Sequence, residues 1–401
     1  MSRSALGIAG MGIASPIGVG KDAVARALFA GTRGLVPRHD LIPGHTVHVG
    51  EVSGSLPPAP PGLQSMECRN GRLMLASVAE ITEAVKKTAR QFGHDRIAVV
   101  LGTSTSGIAE GEAAYGAVRQ NGIWPADFHY RQQEPGNLGE FVASVLGLTG
   151  PAYTVATACS SSGKAFASAR RLMLAGLADA AVVGGADTLC RMTVGGFTAL
   201  EAMSGGLCNP FSRNRDGINI GEAAAVFLLT RAAAPVQFLG AGESSDAYHI
   251  SAPDPEARGA LMAMRAALDD AGLAPADIAY VNLHGTGTAL NDAMEAKAVH
   301  ALFGAATPCS STKAMTGHTL GAAAACEAAF LWLTLHPEYN PDGRFPPHLW
   351  DGEADPAIPP LALADVGRCL PKDLRRVAML SNSFAFGGSN VALVLARGGA
   401  S

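Results

Sequence analysis

The sequence predicts an α/β protein built from two domains or two fused halves. At 401 residues the chain exceeds what one hydrophobic core usually serves. Strand-like and helix-like segments alternate for most of its length, the pattern of stacked α/β layers. A seam, Arg231-Ala232-Ala233-Ala234-Pro235, closes one apolar segment before Val236-Gln237-Phe238-Leu239-Gly240 restarts the pattern. The expected units are residues 1–235 and 236–401, with no residue-level repeat between them.

The elements follow in order. Residues 1–16 resemble a short signal sequence, but Gly7, Gly10, Gly12 and Pro16 interrupt the apolar run, so a first strand and turn are expected. Arg72 to Phe92 carries Leu75, Val78, Ile81 and Val85 at helical spacing, and Ile97 to Leu101 reads as a buried strand. Ala152 to Ala156 is a short strand, followed by an Ala-rich helix from Gly163. Ala178 to Gly185 and Ala223 to Thr230 are apolar strands. In the second half, a helix from Pro255 to Ala271 presents Leu261, Met264 and Leu268 on one face, and a strand runs from Ile278 to Leu283. Val377 to Ser381 and Asn390 to Ala396 form a hairpin around the loop 384–389. The Pro-rich pieces, residues 56–61 and 341–360, read as surface excursions.

Composition narrows the function classes. A net charge of −4, spread thinly, gives no overall attraction to nucleic acid or membrane surface. No apolar run reaches a membrane span. The seven cysteines (68, 159, 190, 208, 309, 326 and 369) never lie closer than 17 residues apart, so no metal-type pair exists and no metal is expected. An odd, scattered set without a secretion signal points to reduced thiols in the cytoplasm. His45 and His48 have ligand-like spacing but lie in a Pro/Gly-rich stretch without partners.

Cys159, in Thr157-Ala158-Cys159-Ser160-Ser161-Ser162, falls at a strand-to-helix turn. Helix amides and the helix dipole there favour a thiolate, the nucleophilic form, although a free cysteine also serves as a small buried apolar residue. Three further segments sit at strand ends or in Gly-rich loops. They are His284-Gly285-Thr286-Gly287-Thr288, the stretch from Ser310 to Ala322 with Lys313 and His318 at the start of an Ala-rich helix, and the loop 382–390. Each alone is also compatible with an ordinary turn or a hydrogen-bonded histidine. A phosphate loop is disfavoured, because neither a Gly-Lys-Ser/Thr ending nor a GxGxxG pattern is present.

Together, TACSSS, HGTGT, STK…GH and NSFAFGG, in that order, resemble the elongating β-ketoacyl-acyl carrier protein synthases of the thiolase-like superfamily. The resemblance runs almost end to end, through Asn209-Pro210-Phe211, Arg215-Asp216-Gly217, Gly221-Glu222 and Asp246-Ala247-Tyr248-His249. It implies a five-layered αβαβα fold of two similar halves, acting as a dimer. It implies Cys159 as the nucleophile that takes an acyl chain from the pantetheine arm of an acyl carrier protein. His284 and His318 match the pair that polarises a malonyl thioester, and Lys313 the lysine that orients them. The backbone N–H groups of Cys159 and Phe386 match the oxyanion hole. Asp292 and Glu295 match an acidic pair, with Glu295 expected to pair with Lys313; a solvated helix face would look the same. Phe197 and Phe386 match acyl-pocket aromatics.

The implied reaction is decarboxylative condensation of malonyl-carrier protein with an acyl chain, extending a fatty acid or polyene. No cofactor is expected, since the phosphopantetheine belongs to the carrier. A local basic patch should dock that acidic carrier, with Arg69 and Arg72 as candidates. The other dimer subunit is a second copy or a ketosynthase-like chain. A thiolase is disfavoured because residues 383–389 hold no second cysteine, and an initiating synthase because His318 stands where a His/Asn pair would be needed. A non-catalytic chain-length subunit is disfavoured because Cys159, His284, Lys313 and His318 are all present. Residues 99–111 and 242–253 resemble ketosynthases of bacterial aryl polyene clusters.

Overall fold

The computed structural model describes residues 5–370 and 377–398. The first half contains β1 (Leu6–Ser15), β2 (Gly18–Val19), α1 (Lys21–Ala30), the side hairpin β3 (Leu35–Arg38) and β4 (Val47–Gly50), α2 (Arg69–Val78), α3 (Thr82–Phe92), β5 (Ile97–Gly102), α4 (Ile108–Asn121), α5 (Asn137–Leu146), β6 (Ala152–Val155), α6 (Ser161–Leu174), β7 (Ala180–Asp187), α7 (Arg191–Ala199) and β8 (Ala223–Thr230). The second contains β9 (Val236–Ser245), α8 (Arg258–Ala271), β10 (Ile278–Asn282), α9 (Ala289–Phe303), β11 (Pro308–Ser310), α10 (Lys313–Thr316), α11 (Ala323–Leu335), β12 (Ala362–Leu363), β13 (Ala378–Phe384) and β14 (Ser389–Arg397).

Sheet order shows a duplication that the residues hide. The first half runs β1-β8-β7-β5-β6 and the second β9-β14-β13-β10-β11. In both, the first two neighbouring pairs in that order are antiparallel and the last two parallel. Among the described residues, the sheet of one half joins that of the other edge to edge through the short β1–β9 pairing at Leu6 and Gly7, giving one continuous 12-stranded sheet.

Strand faces explain the layering. Along β5, Ile97, Val99 and Leu101 pack into one core, while Ala98 and Val100 pack into another. On β14, Val391, Leu393 and Leu395 share that second core, and Ala392, Val394 and Ala396 face a third. Both sheets are therefore apolar on both faces, so their strands read as continuous apolar runs. The shared core holds α6 and α11, each packed against strands of both halves. α2 and α5 cover the first sheet's outer face, and α8, backed by α9, covers the second's. This gives the five αβαβα layers of a thiolase-like fold.

The expected helix over residues 72–92 is two helices. At its break Glu80 turns back to accept the Ile13 and Lys21 backbone N–H groups at 3.2 Å, which pins the chain to β1. The helix expected from Pro255 begins at Arg258. No helix among the described residues is long and apolar enough to cross a membrane.

Candidate active site

Four loops converge at the carboxyl ends of parallel strands, the usual address of α/β sites. Cys159 lies between β6 and α6, and Lys313 and His318 between β11 and α11, so the two central helices contribute from equivalent places. His284 follows β10, and Phe386 sits in the β13–β14 loop. Lys313 and His318 do not open the Ala-rich helix as expected. Lys313 begins the four-residue α10, and His318 lies in the turn between it and α11.

Cys159 is set by a tight turn. Ala158 holds φ at 50°, a left-handed conformation costing about 1–2 kcal/mol for a non-glycine residue. Serines close the turn: Ser160 Oγ donates to the Thr157 carbonyl at 2.8 Å, and Ser161 Oγ accepts from the Thr157 N–H at 2.8 Å. Ser162 Oγ accepts from Ala325 N–H at 3.0 Å, tying α6 to α11. Gly102 lets β5 approach; a Cβ there would stand 2.3 Å from the Ser162 nitrogen.

Cys159, His284 and His318 present their reactive atoms within 4.8 Å of one another, all buried. His318 Nε2 is 3.0 Å from Cys159 Sγ, and Lys313 Nζ is 3.4 Å from His284 Nδ1. The lysine's donors leave Nδ1 of His284 as acceptor, so its proton belongs on Nε2. Among the described residues, Nδ1 of His318 has no hydrogen-bond partner. A proton there would bury an unpaired donor, so His318 too carries its proton on Nε2. Burial, then the positive charge of Lys313, holds both histidines neutral, well below their ordinary titration range. Two neutral Nε2–H donors thus sit beside the sulfur.

Burial works against the expected thiolate. Burial pushes the Cys159 thiol up to about 11, against the opposing pull of Lys313 and the Phe386 and Cys159 amides. Those two amides are the expected oxyanion donors. The three reactive atoms would suit a soft metal ion, but the Lys313 charge beside them disfavours a cation.

Lys313 does not pair with Glu295. Its partner is Glu327 of α11, an ion pair in which both side chains are almost fully buried. Glu295 instead accepts the His284 and Gly285 N–H groups, each at 2.7 Å, and Asn382 Nδ2 at 3.1 Å. Asp292 accepts the Phe211 N–H at 2.8 Å and those of Thr286 and Gly287 at 3.1 and 3.2 Å. Both acids are buried, not a solvated face, and they shape the His284 loop. Glu327 was overlooked, although it is the one charged residue in Ala323–Leu335.

Phe197 and Phe386 lie with ring centroids 5.4 Å apart over this pocket, which Ile218, Thr286, Thr288 and Phe384 also line. A wider cleft of about 360 Å³ opens beside it, sharing Thr288, Asn291, Phe384 and Phe386. Arg69 and Arg72 contribute to neither lining. Arg69 Nε donates to the fully buried Glu222 at 2.9 Å, and Arg72 donates to the Leu56 carbonyl at 2.8 Å.

Residues 59–234 match the family model described as the β-ketoacyl synthase N-terminal domain, and residues 236–343 the C-terminal domain. The chain belongs to the β-ketoacyl synthase family. The synthase is 32% identical to a 3-oxoacyl-[acyl-carrier-protein] synthase 2 of Staphylococcus aureus, across 96% of this chain and 99% of that one. It superposes with TM-score 0.92 and 45% identity on a chain of the ketosynthase ApeO in complex with its chain length factor ApeC from Xenorhabdus doucetiae, covering 98% of each. The ishigamide ketosynthase/chain length factor gives TM-score 0.87 and 28% identity over the whole of both chains. The synthase is an acyltransferase of the 3-oxoacyl-[acyl-carrier-protein] synthase type.

Proposed function

We propose that the synthase runs a two-stage decarboxylative condensation on Cys159. The convergence of Cys159, His284 and His318 beside Lys313 carries this reading. In the first stage the sulfur attacks an acyl-carrier thioester. A new C–S bond forms, the carrier's C–S bond breaks, and the thiol proton leaves with the pantetheine sulfur. The Cys159 and Phe386 amides hold the tetrahedral oxyanion, while the His318 donor favours charge developing on sulfur. In the second stage the Nε2–H groups of both histidines hold the malonyl thioester oxygen as carbon dioxide departs. The enolate carbon then attacks the acyl-Cys159 carbonyl, the C–S bond breaks, and the released thiolate takes up one proton from solvent to restore the thiol. Lys313 keeps the His284 donor aimed inward. Phe197 and Phe386 line the acyl entrance.

We assign the chain as the catalytic subunit of a heterodimer with a chain-length-factor-like partner. The support is its 45% identity to a chain of the ApeO–ApeC complex, together with its complete nucleophile and histidine set. The resemblance of residues 99–111 and 242–253 to aryl polyene ketosynthases favours that pathway, the scattered free cysteines favour the cytoplasm, and the reaction calls for no cofactor beyond the carrier's own arm. Arg72 is the remaining carrier-docking candidate.

The test uses His284→Ala and His318→Ala with malonyl-carrier protein. Each should suppress decarboxylation about 100-fold or more, while acylation of Cys159 survives in part. Wild-type decarboxylation by both variants would defeat the reading. Co-expression with a chain-length-factor-like subunit should give a one-to-one complex; a purely homodimeric, fully active enzyme would defeat the heterodimer.

A further inference from the structure

Asp187, fully buried at the end of β7, takes no part in the scheme above. Its carboxylate gathers donors from Thr103-Ser104-Thr105, the segment after β5. Thr103 Oγ1 donates at 2.7 Å, the Ser104 N–H and Oγ at 2.8 and 2.6 Å, and the Thr105 N–H and Oγ1 at 2.8 and 2.7 Å. These are amides and hydroxyls, none of them cationic. One more donor crosses from the opposite half: the Gly321 N–H, which reaches Asp187 Oδ2 and also Ser104 Oγ at 3.1 Å.

Gly321 stands three residues beyond His318. A Cβ there would lie 2.7 Å from Asp187 Oδ2 and 2.8 Å from the Ser104 nitrogen, so the approach requires glycine. Leu320, between them, is held at φ 52°, a left-handed conformation that persists only where the surroundings enforce it. At the other end the His318 N–H donates to the Asn219 carbonyl at 2.7 Å, and the His318 carbonyl accepts from the Gly221 N–H at 2.9 Å. The segment carrying His318 is thus pinned at both ends, one of them by Asp187.

We propose that Asp187 is a positioning residue: through Gly321 it fixes the backbone that aims His318 at Cys159 and at the malonyl thioester. The inference rests on the role given to His318 above. It also gives the Thr-Ser-Thr segment a purpose, as the cradle that keeps a buried carboxylate satisfied between the halves.

The test compares Asp187→Asn, Ser104→Ala and His318→Ala in the full-length enzyme. Its readouts are malonyl-carrier decarboxylation, iodoacetamide alkylation of Cys159, and thermal melting. Asp187→Asn should lower the decarboxylation kcat about 100-fold, the scale of a misplaced catalytic group, with KM changed by less than about threefold. Alkylation of Cys159 should not slow, because the sulfur stays in place and loses a nearby negative charge. Ser104→Ala should lower kcat about fivefold at unchanged melting temperature. Unchanged kcat in both variants overturns the proposal, as does a joint fall of kcat, substrate affinity, alkylation and melting. If Asp187→Asn does not fold, Ser104→Ala decides on the same terms. His318→Ala separates the two readings. Wild-type decarboxylation by it defeats the role of His318 itself. Its loss, beside normal Asp187 and Ser104 variants, defeats only the role of Asp187.

Discussion

Lys313 and Glu327 form an ion pair inside the protein, joining the α10 segment to the central helix α11 beside His284. Neither charge is tolerable there alone, since an unpaired buried ion has no water to solvate it. Burial pushes the Glu327 carboxyl up to about 7, while Lys313 pulls it back.

Glu327→Ala should therefore destabilise the enzyme by about 3–5 kcal/mol, read as the shift in a urea denaturation midpoint. It should also lower decarboxylation, because Lys313 loses the anchor that holds it at His284. Lys313→Ala/Glu327→Ala should regain much of the stability but none of the decarboxylation. Equal stability of Glu327→Ala and wild type would show that the pair is not formed.

Arg69 and Arg72 should separate. Glu222 is fully buried and takes its cation from Arg69, so Arg69→Glu should cost about 3–5 kcal/mol and impair carrier-bound and small thioester substrates alike. Arg72 is partly exposed, and Arg72→Glu should raise KM for carrier-bound substrate alone, an effect that weakens with added salt. Specific loss of carrier-bound activity in Arg69→Glu, at unchanged stability, would return Arg69 to the docking surface.

The layers and the active-site loops were legible because their signals are local. Apolar runs such as 223–230 mark buried strands, and Cys159, His284, Lys313 and His318 each sit in a short motif beside one. Partnerships across the fold were not legible. Glu295 shares its helix with Asp292 whereas Glu327 stands alone on an apolar one, and only the fold, which brings α10 and α11 together at Lys313, gives the lysine to the second. Arg69 reads as a docking candidate because its partner Glu222 lies far along the chain. The two similar halves were legible only through the resemblance, because the duplication resides in strand order, which no residue repeat records. The sequence offers both a helix-start thiolate and a buried apolar cysteine, and only the fold shows how deeply Cys159 is buried, an effect that works against its helix amides.

That burial fixes a pH dependence. The folded thiol, at about 11, lies above its ordinary value of 9.0, so the fold favours the protonated form. Its contribution to stability is complete below 9.0 and is lost as pH rises through about 11. Alkylation of Cys159 by iodoacetamide, followed on its own peptide, should climb across that interval without a plateau at 9.0. A plateau reached near neutral pH would mean a preformed thiolate and would contradict the assigned environment.

The central claim is that Cys159 carries the acyl chain. Mass spectrometry of the peptides after incubation with acyl-carrier protein tests it most directly. The mass of one acyl group should appear on the peptide holding Cys159, and Cys159→Ala should neither take the label nor condense. An acyl adduct on any other of the seven cysteines, or condensation by Cys159→Ala, would contradict the account.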